Sequence, residues 1–231
     1  MKALAIDTAI SKISIAAKNN EKTVCETYDI GMKQSEVLLP AIISVMEKCA
    51  LNVNELDFLS VTRGPGSFTG LRIGLASMKA IELSSQKPLF AYSTLDIYAS
   101  PFLSLPFVVI SAMDAHMEKF FMKAFENGKC VIEEGDYEIE KIIPLLENCG
   151  KNKDFLVVGP DSKSLEEKLT ASGLNGTVRS VPFSCDTTEI LFNLAEKDFL
   201  EGKSGIQDYD GPVYIRKSEA EEKLSSAGTR N

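Results

Sequence analysis

Residues 63–72 read R-G-P-G-S-F-T-G-L-R, and this glycine-rich stretch leads directly into a run of small and apolar residues. Pro65 and Gly66 are residue types that a type II turn prefers at its two central positions, so the stretch predicts a turn. Ser67 or Thr69 can cap a helix that starts immediately afterwards. We therefore expect a tight loop followed by a helix of several turns.

Two interpretations of this loop are open. Its glycines and the free N–H groups of the helix start suit an anion such as a phosphate. The spacing fits neither a Walker A loop, because Leu71 follows the last glycine where a lysine is needed, nor the dinucleotide fingerprint G-x-G-x-x-G. A tight turn that lets the helix pack closely is the alternative. The residues predicted to contact an anion or nucleotide are Asp7, Thr8, Gly64, Gly66, Ser67, Thr69 and Gly70.

Two predicted helices have surfaces suited to contact with another helix. The helix at 34–49 has an apolar arc wider than packing on one sheet requires. The helix after the glycine loop combines small residues with an apolar edge, which allows another backbone to approach closely. A further contact surface, within the chain or with a partner, is therefore expected. The side chains predicted to form a partner interface are Leu38, Ile42, Val45, Leu71, Leu75 and Met78.

The order of predicted elements repeats along the chain. Each half begins with strands and continues with alternating helices and strands, which indicates two related α/β lobes. The segment 101–106 has a proline at each end and is the best boundary. We predict a first lobe at 1–102 and a second at 103–231, with a tail from about 217 that is frayed, disordered or packed back on the first lobe. Strands are predicted at 2–7, 12–18, 23–29, 58–63, 88–93, 107–113, 119–126, 129–137, 155–159 and 177–181, and helices at 34–49, from the glycine loop to about 85, at 94–99, 138–149, 162–172 and from 186.

The composition limits the class of protein. A net charge of −8 argues against a stand-alone nucleic-acid binder, since phosphate contacts need clustered Lys and Arg. The five cysteines are scattered and lack a C-x-x-C pair, as in proteins of a reducing compartment. No apolar run resembles a signal peptide or approaches membrane-spanning length. We expect a cytoplasmic protein without membrane contact.

The chain has few residues for metal or nucleophilic chemistry. His116 is the only histidine, so the two-histidine zinc motif H-E-x-x-H is excluded. No catalytic and no metal-binding residue is predicted. Asp7 and Asp114 end the first strands of the two halves, at matching places. Either could face a cleft and orient a metal–phosphate or a water, but capping of the following turn is the preferred interpretation.

Several motifs occur together in the order and spacing of one family. They are A-I-D-T at 5–8, S-E-V-L-L-P at 35–40, R-G-P-G-S-F-T-G-L-R-I-G-L-A at 63–76, Y-S-T-L at 92–95, D-A at 114–115 and P-V-Y-I-R at 212–216. With these motifs the chain resembles the TsaB family, bacterial proteins involved in making threonylcarbamoyladenosine beside the tRNA anticodon. The resemblance is dense from residue 1 to about 120 and sparse afterwards.

The resemblance implies a two-lobed α/β fold of the actin/hexokinase/Hsp70-like (ribonuclease H-like) type with a degenerate nucleotide site. It also implies a non-catalytic subunit that pairs with TsaD through the two first-lobe helices. TsaD carries the metal and transfers threonylcarbamoyl from threonylcarbamoyl-adenylate to the adenosine 3′ to the anticodon. The resemblance further implies the ATPase TsaE as a partner, a homodimer through the same surface, and tRNA contact only through the complex. The chain itself is expected to hold no cofactor, with ATP or ADP only at the interface of the complex.

The chain departs from the family pattern at two positions. Gln34 stands where many members have His, and His116 stands where the family usually has the Arg of Asp-Ala-Arg. Two alternative functions stay open: a small-molecule kinase or ATPase of the same superfold that uses Asp7 and the glycine loop, and a glycoprotease-like peptidase. The lack of metal ligands disfavours the peptidase.

Overall fold

The apolar run at residues 2–7 forms the central strand of the first of two five-stranded sheets. The computed structural model describes residues 1–31, 33–149, 153–181 and 186–216. In the first sheet the order is β3-β2-β1-β4-β5, with β1 antiparallel to β2 and parallel to β4. These strands are β1 (Lys2–Asp7), β2 (Lys12–Asn19), β3 (Lys22–Asp29), β4 (Phe58–Gly64) and β5 (Leu89–Ser93).

Strand β1 is covered on both faces, which accounts for its nearly continuous apolar sequence. Leu4 and Ile6 share one hydrophobic cluster with residues of α1 (Gln34–Lys48) and α2 (Phe68–Ser85). Ala3 and Ala5 share a second cluster with residues 190–195, which belong to the last helix described below. The first-lobe sheet is thus enclosed between helices.

The second sheet repeats the topology of the first. Its order is β10-β9-β6-β7-β8, with β6 antiparallel to β7 and parallel to β9. The predicted duplication of two α/β lobes is therefore confirmed. The elements of this half are β6 (Val108–Asp114), β7 (Lys119–Glu126), β8 (Lys129–Glu138), α4 (Ile139–Asn148), β9 (Phe155–Val158), α5 (Ser162–Ala171) and β10 (Val178–Ser180).

Helix α3 (Thr94–Ala99) connects the two sheets and fills the space between them. Its Leu95 and Tyr98 are completely buried in a cluster with Val109 and Met113 of the second sheet. Ile10, in the turn between β1 and β2, packs against the same cluster. The first turn of the first lobe therefore packs against the cluster that fills the space between the two sheets.

The predicted strands and helices are all present, and the bounds that were predicted differ from the observed ones by at most one residue. The Asn127-Gly128 hairpin has positive φ angles of 50° and 73°, as such two-residue turns require. The predicted type II turn at the glycine loop is wrong. Gly66 has φ 158°, far from the value near +80° of that turn, and the Gly64–Pro65 peptide is cis.

The predicted division at residue 102 needs one correction. Helix α6 (Thr187–Leu200) packs on β1 and β4 of the first sheet, although the predicted division puts it in the second lobe. The Asp186 side chain caps this helix by accepting a hydrogen bond from the Thr188 backbone N–H at 2.9 Å. The chain then stays on the first lobe as far as Tyr214. The predicted frayed tail from 217 lies outside the described residues.

Candidate functional site

The glycine-rich loop packs against the β1–β2 turn of its own lobe. A Cβ atom on Gly70 would lie 2.2 Å from the carbonyl oxygen of Thr8, and one on Gly66 would lie 2.4 Å from that of Ala9. A Cβ atom on Gly74, one helical turn later, would lie 2.2 Å from the Thr8 hydroxyl oxygen. The glycines are therefore needed for close approach between α2 and this turn.

Hydrogen bonds hold the same contact in place. The Ser67 backbone N–H donates to the carbonyl oxygen of Ala9 at 2.7 Å. The Ser67 hydroxyl caps α2 by accepting from the Gly70 N–H at 3.2 Å, so the predicted cap is Ser67 and not Thr69. The tight-turn interpretation of the loop is confirmed, with the chain's own β1–β2 turn as the surface that the helix approaches.

Gln34 takes part in this contact, which the sequence did not reveal. The residue is buried at the start of α1, and its Nε2 donates to the carbonyl oxygen of Ile10 at 2.7 Å. Its Oε1 lies 2.6 Å from the position that a Cβ of Gly70 would occupy. Gln34 thus joins α1 to both the β1–β2 turn and the glycine loop. The only signal in the sequence was the departure from the family pattern at this position.

The segment after α6 covers the other side of the loop. The Val213 N–H donates to the carbonyl oxygen of Arg63 at 2.7 Å, and a Cβ on Gly64 would lie 2.6 Å from the Val213 carbonyl oxygen. The Tyr214 ring stacks on Phe68 with 4.5 Å between centroids, and its hydroxyl accepts from Arg72 Nε at 2.7 Å. Within the 212–216 motif of the sequence, Val213 and Tyr214 therefore hold the glycine loop and the start of α2 in place.

Asp7 is buried beneath the β1–β2 turn. Its Oδ1 accepts from the Ala9 N–H at 2.9 Å and from the Thr62 hydroxyl at 3.0 Å. Burial raises the pKa of this carboxyl above its ordinary value of 3.8, and the hydrogen bonds from Ala9, Thr187 and Thr62 oppose the shift only in part. The carboxyl group therefore stabilises the turn through hydrogen bonds, although burial disfavours its charged form.

Asp114 caps the corresponding turn in the second lobe, as its matching position in the sequence predicted. Its Oδ1 accepts from the His116 N–H at 2.8 Å, the same two-residue spacing as between Asp7 and Ala9. The His116 side chain is 87% exposed and lies 3.5 Å from the other Asp114 oxygen. The preferred interpretation, capping of a turn, is confirmed for both acids. Within the described residues, no three His, Cys, Asp or Glu side chains form a group that could hold a metal ion.

The residues predicted to contact an anion lie together, but most face the protein itself. Asp7 and Thr8 are buried, and backbone carbonyl oxygens stand beside Gly64, Gly66 and Gly70. Carbonyl oxygens repel an anion, since they carry the negative end of the peptide dipole. Ser67 and Thr69 are exposed. A role in anion binding stays a prediction for this set.

The predicted partner interface requires a correction at the level of side chains. All six predicted residues are at most 4% exposed. Five of them belong to the hydrophobic cluster between the two helices and the first sheet, and Leu71 is buried at the start of α2. The apolar side chains that these helices expose are Leu39 (60%) and Ile43 (50%) on α1 and Leu83 (76%) on α2. The residues of the predicted interface that the structure buries are Leu38, Ile42, Val45, Leu71, Leu75 and Met78.

Comparison with solved structures identifies the fold. A Pseudomonas aeruginosa protein with similarity to the peptidase YeaZ superposes with a TM-score of 0.76 at 20% identity, over 93% of this chain and 99% of that chain. A second structure, YeaZ from Pseudomonas aeruginosa, superposes with a TM-score of 0.70 at 21% identity, over 92% and 99%. The two-lobed α/β fold predicted from the sequence is confirmed. No helix in the described part of the chain is long and apolar enough to cross a membrane.

Comparison with sequences identifies the family. A family model for TsaD, tRNA N6-adenosine threonylcarbamoyltransferase, matches residues 31–198. The tRNA threonylcarbamoyladenosine biosynthesis protein TsaB of Escherichia coli (strain K12) is 27% identical over 97% of this chain and 98% of its own length. The TsaB of Bacillus subtilis (strain 168) is 25% identical over 96% and 97%. The chain therefore belongs to the TsaD family and, within it, is a TsaB-like protein involved in tRNA threonylcarbamoyladenosine biosynthesis.

Proposed function

We propose that the chain is a non-catalytic subunit that pairs with TsaD and supports transfer of threonylcarbamoyl from threonylcarbamoyl-adenylate to the adenosine 3′ to the tRNA anticodon. In this proposal TsaD performs the chemistry, TsaE joins the pair, and tRNA is contacted only through the complex. The chain has no cofactor of its own, and ATP or ADP binds only at the interface of the complex. A homodimer uses the same helices when TsaD is absent.

One observation supports the pairing surface above the others. Helices α1 and α2 lie side by side in the first lobe and contact one another. Leu39 and Ile43 are four residues apart, so they lie on one face of α1, and both are exposed to solvent. Leu83 adds a third exposed apolar side chain on α2. Exposed apolar side chains that recur on one helix face are typical of a helix-on-helix interface.

The glycine loop supports the non-catalytic part of the proposal. In nucleotide-binding loops, glycines let a phosphate approach the backbone. In this chain the equivalent space beside Gly66 and Gly70 is filled by the backbone of Thr8 and Ala9. The loop therefore lets α2 pack closely on the β1–β2 turn. By setting the position of α2 it also sets the position of the proposed pairing surface.

The pairing is tested by replacing the exposed residues and not the buried ones. Binding of the double variant Leu39→Asp/Ile43→Asp to purified TsaD from the same organism is measured by calorimetry. We expect the affinity to fall tenfold or more, because two charges would be buried at the interface. Val131→Asp is the matched control, since Val131 is also an exposed apolar residue but lies on β8 of the second lobe. Equal affinity of the double variant and the control for TsaD would show that the interface lies elsewhere on the chain.

The functional part is tested by reconstitution. With TsaD, TsaE, tRNA, Mg-ATP and threonylcarbamoyl-adenylate, we expect modified tRNA to form only when this chain is present. The chain alone should form no modified tRNA, and calorimetry should show no binding of Mg-ATP to it. Unchanged modification without the chain would contradict the proposal, and tight Mg-ATP binding by the chain alone would favour the kinase or ATPase alternative.

A further inference from the structure

The segment at 204–214, here named the C-terminal strap, is attached to the first lobe at both of its ends. The Ile206 N–H donates to the carbonyl oxygen of Leu89 at 2.8 Å, at the edge strand β5. Gly205 lies so close to that strand that a Cβ would be 2.7 Å from the same oxygen. At the other end, Val213 is bonded to Arg63, as described above. The strap is therefore fixed before and after its central turn.

That central turn, at 207–210, is also held internally and from α2. The Asp210 N–H donates to the carbonyl oxygen of Gln207 at 3.0 Å, and the Gln207 N–H donates to Asp210 Oδ2 at 2.8 Å. The Lys79 ammonium of α2 donates to the carbonyl oxygens of Gln207 and Asp208, both at 2.7 Å. Four hydrogen bonds thus define the position of a four-residue turn.

The residue at the tip of this fixed turn is a tyrosine that is not packed on any of the described residues. Tyr209 is fully exposed, with 101% of its reference surface accessible. Next to it in sequence, Asp208 lines an open cavity of about 580 Å³ together with Leu83, Lys79 and Pro88. Tyrosine is one of the residue types enriched at interface hot spots, and here it stands on a rigid turn beside an open cavity.

We propose that the 207–210 turn is a docking element whose Tyr209 inserts into an apolar pocket of a protein partner, with Lys or Arg side chains of that partner facing Asp208 and Asp210. The inference rests on the proposed function, because the turn is bonded to α2 and so extends the pairing surface proposed for TsaD. Its rigidity favours binding, since little conformational entropy is lost when the tyrosine is fixed.

Charge decides between classes of partner. Two carboxylates flank Tyr209, and the whole chain carries a net charge of −8. The adjoining cavity adds Glu82 and the cations Lys79 and Lys87, of which Lys79 is already bonded to carbonyl oxygens of the turn. A nucleic acid would bring phosphates against these carboxylates, although stacking on an exposed tyrosine would otherwise suit a base. A second copy of the chain would bring the same acidic turn and the same net charge. A partner surface with a cationic rim is the one that the charges favour.

The test uses the full chain and purified TsaD from the same cell. Tyr209→Ala should weaken the complex tenfold or more, and Tyr209→Phe should stay within about threefold, because the ring supplies the buried area. Asp208→Lys should weaken binding further as salt is lowered, because repulsion between like charges is screened by salt. The matched controls are Val131→Ala and Glu140→Lys, an exposed apolar residue and an exposed acid of the second lobe. Unchanged melting temperatures would show that each variant is folded.

The outcomes separate the two proposals. Wild-type binding together with a Tyr209→Ala affinity within twofold of wild type would overturn the docking element and leave the proposed function standing. Equal losses for Tyr209→Ala and Val131→Ala would also overturn it, because the effect would not be local. Absence of any complex with the wild-type chain would overturn both. Binding of a tRNA anticodon stem to the isolated chain that is lost in Tyr209→Ala would replace the protein partner by RNA.

Discussion

Gly70 shows at the residue scale how the loop determines the position of α2. Gly70→Ala would place a methyl group 2.2 Å from the Thr8 carbonyl oxygen and 2.6 Å from Gln34 Oε1, in a contact that the Ser67–Ala9 hydrogen bond also holds. We expect the free energy of unfolding, measured with urea, to fall by about 1–3 kcal/mol or more. Gly211→Ala is the matched control, because no atom lies within 4 Å of its Cβ position. Equal stability of the two variants would show that the loop backbone can shift to accommodate the methyl group at little cost in free energy.

At this scale the sequence predicted some contacts and missed others. The cap at Ser67 and the turns at Asp7 and Asp114 follow from local spacing, so they were predicted correctly. The role of Gln34 was missed, because its partners Ile10 and Gly70 are distant in sequence. The loop glycines were correctly linked to close packing, but the residue types could not say which backbone approaches them.

Helices α1 and α2 show what periodicity can and cannot predict at the element scale. Their apolar arcs were recognised correctly, and the excess width of the α1 arc is real, since Leu39 and Ile43 are exposed. The division of each arc into covered and uncovered parts was predicted wrongly. It depends on where the sheet and the other helix lie, because these neighbours cover the central stripe and leave the flank open.

The C-terminal strap gives a prediction at the element scale. Tyr214→Ala removes the stack on Phe68 and the hydrogen bond from Arg72, which hold the end of the strap on α2. Amide hydrogen exchange in the strap, above all at Val213, should become faster by tenfold or more, because local opening then breaks fewer contacts. The core strands β1 and β4 should keep their protection.

Tyr209→Ala is the control for this measurement. It also removes a strap tyrosine, but one that is fully exposed, so strap exchange should stay as in wild type. If Tyr214→Ala left the exchange at Val213 unchanged, the backbone hydrogen bond to Arg63 alone would hold the strap.

At the scale of the whole molecule, Asp7 makes stability depend on pH. Its pKa is raised by burial in the folded chain and returns to its ordinary value of 3.8 on unfolding. Between these two values the folded state binds more protons than the unfolded state, so the free energy of unfolding falls as pH rises from about 4 through the folded pKa. Asp7→Asn removes this titration. Urea unfolding of both proteins from pH 4 to pH 8 should show wild type losing stability relative to the variant.

Glu26 supplies a control of opposite sign. Hydrogen bonds from Lys48, Ser44 and Tyr28 hold the pKa of Glu26 at about 2, so its contribution to stability is complete above about 4.5 and is lost as pH falls toward 2. Glu26→Gln should therefore differ from wild type above about pH 4.5 and approach it in acid. A wild-type profile that runs parallel to that of Asp7→Asn at every pH would show that the buried carboxyl does not titrate in this range.

The sequence by itself determined the elements, their order and the duplication of two α/β lobes, because hydrophobic period, turn residues and caps act between neighbours along the chain. It also indicated the family, through motifs concentrated in the first lobe. The tertiary structure alone decided that α6 and the strap lie on the first lobe and that the loop glycines contact Thr8 and Ala9. It also decided that Leu39, Ile43, Leu83 and Tyr209 are among the exposed apolar groups. These features depend on contacts between residues far apart in sequence, and local spacing carries no information about which distant surfaces meet.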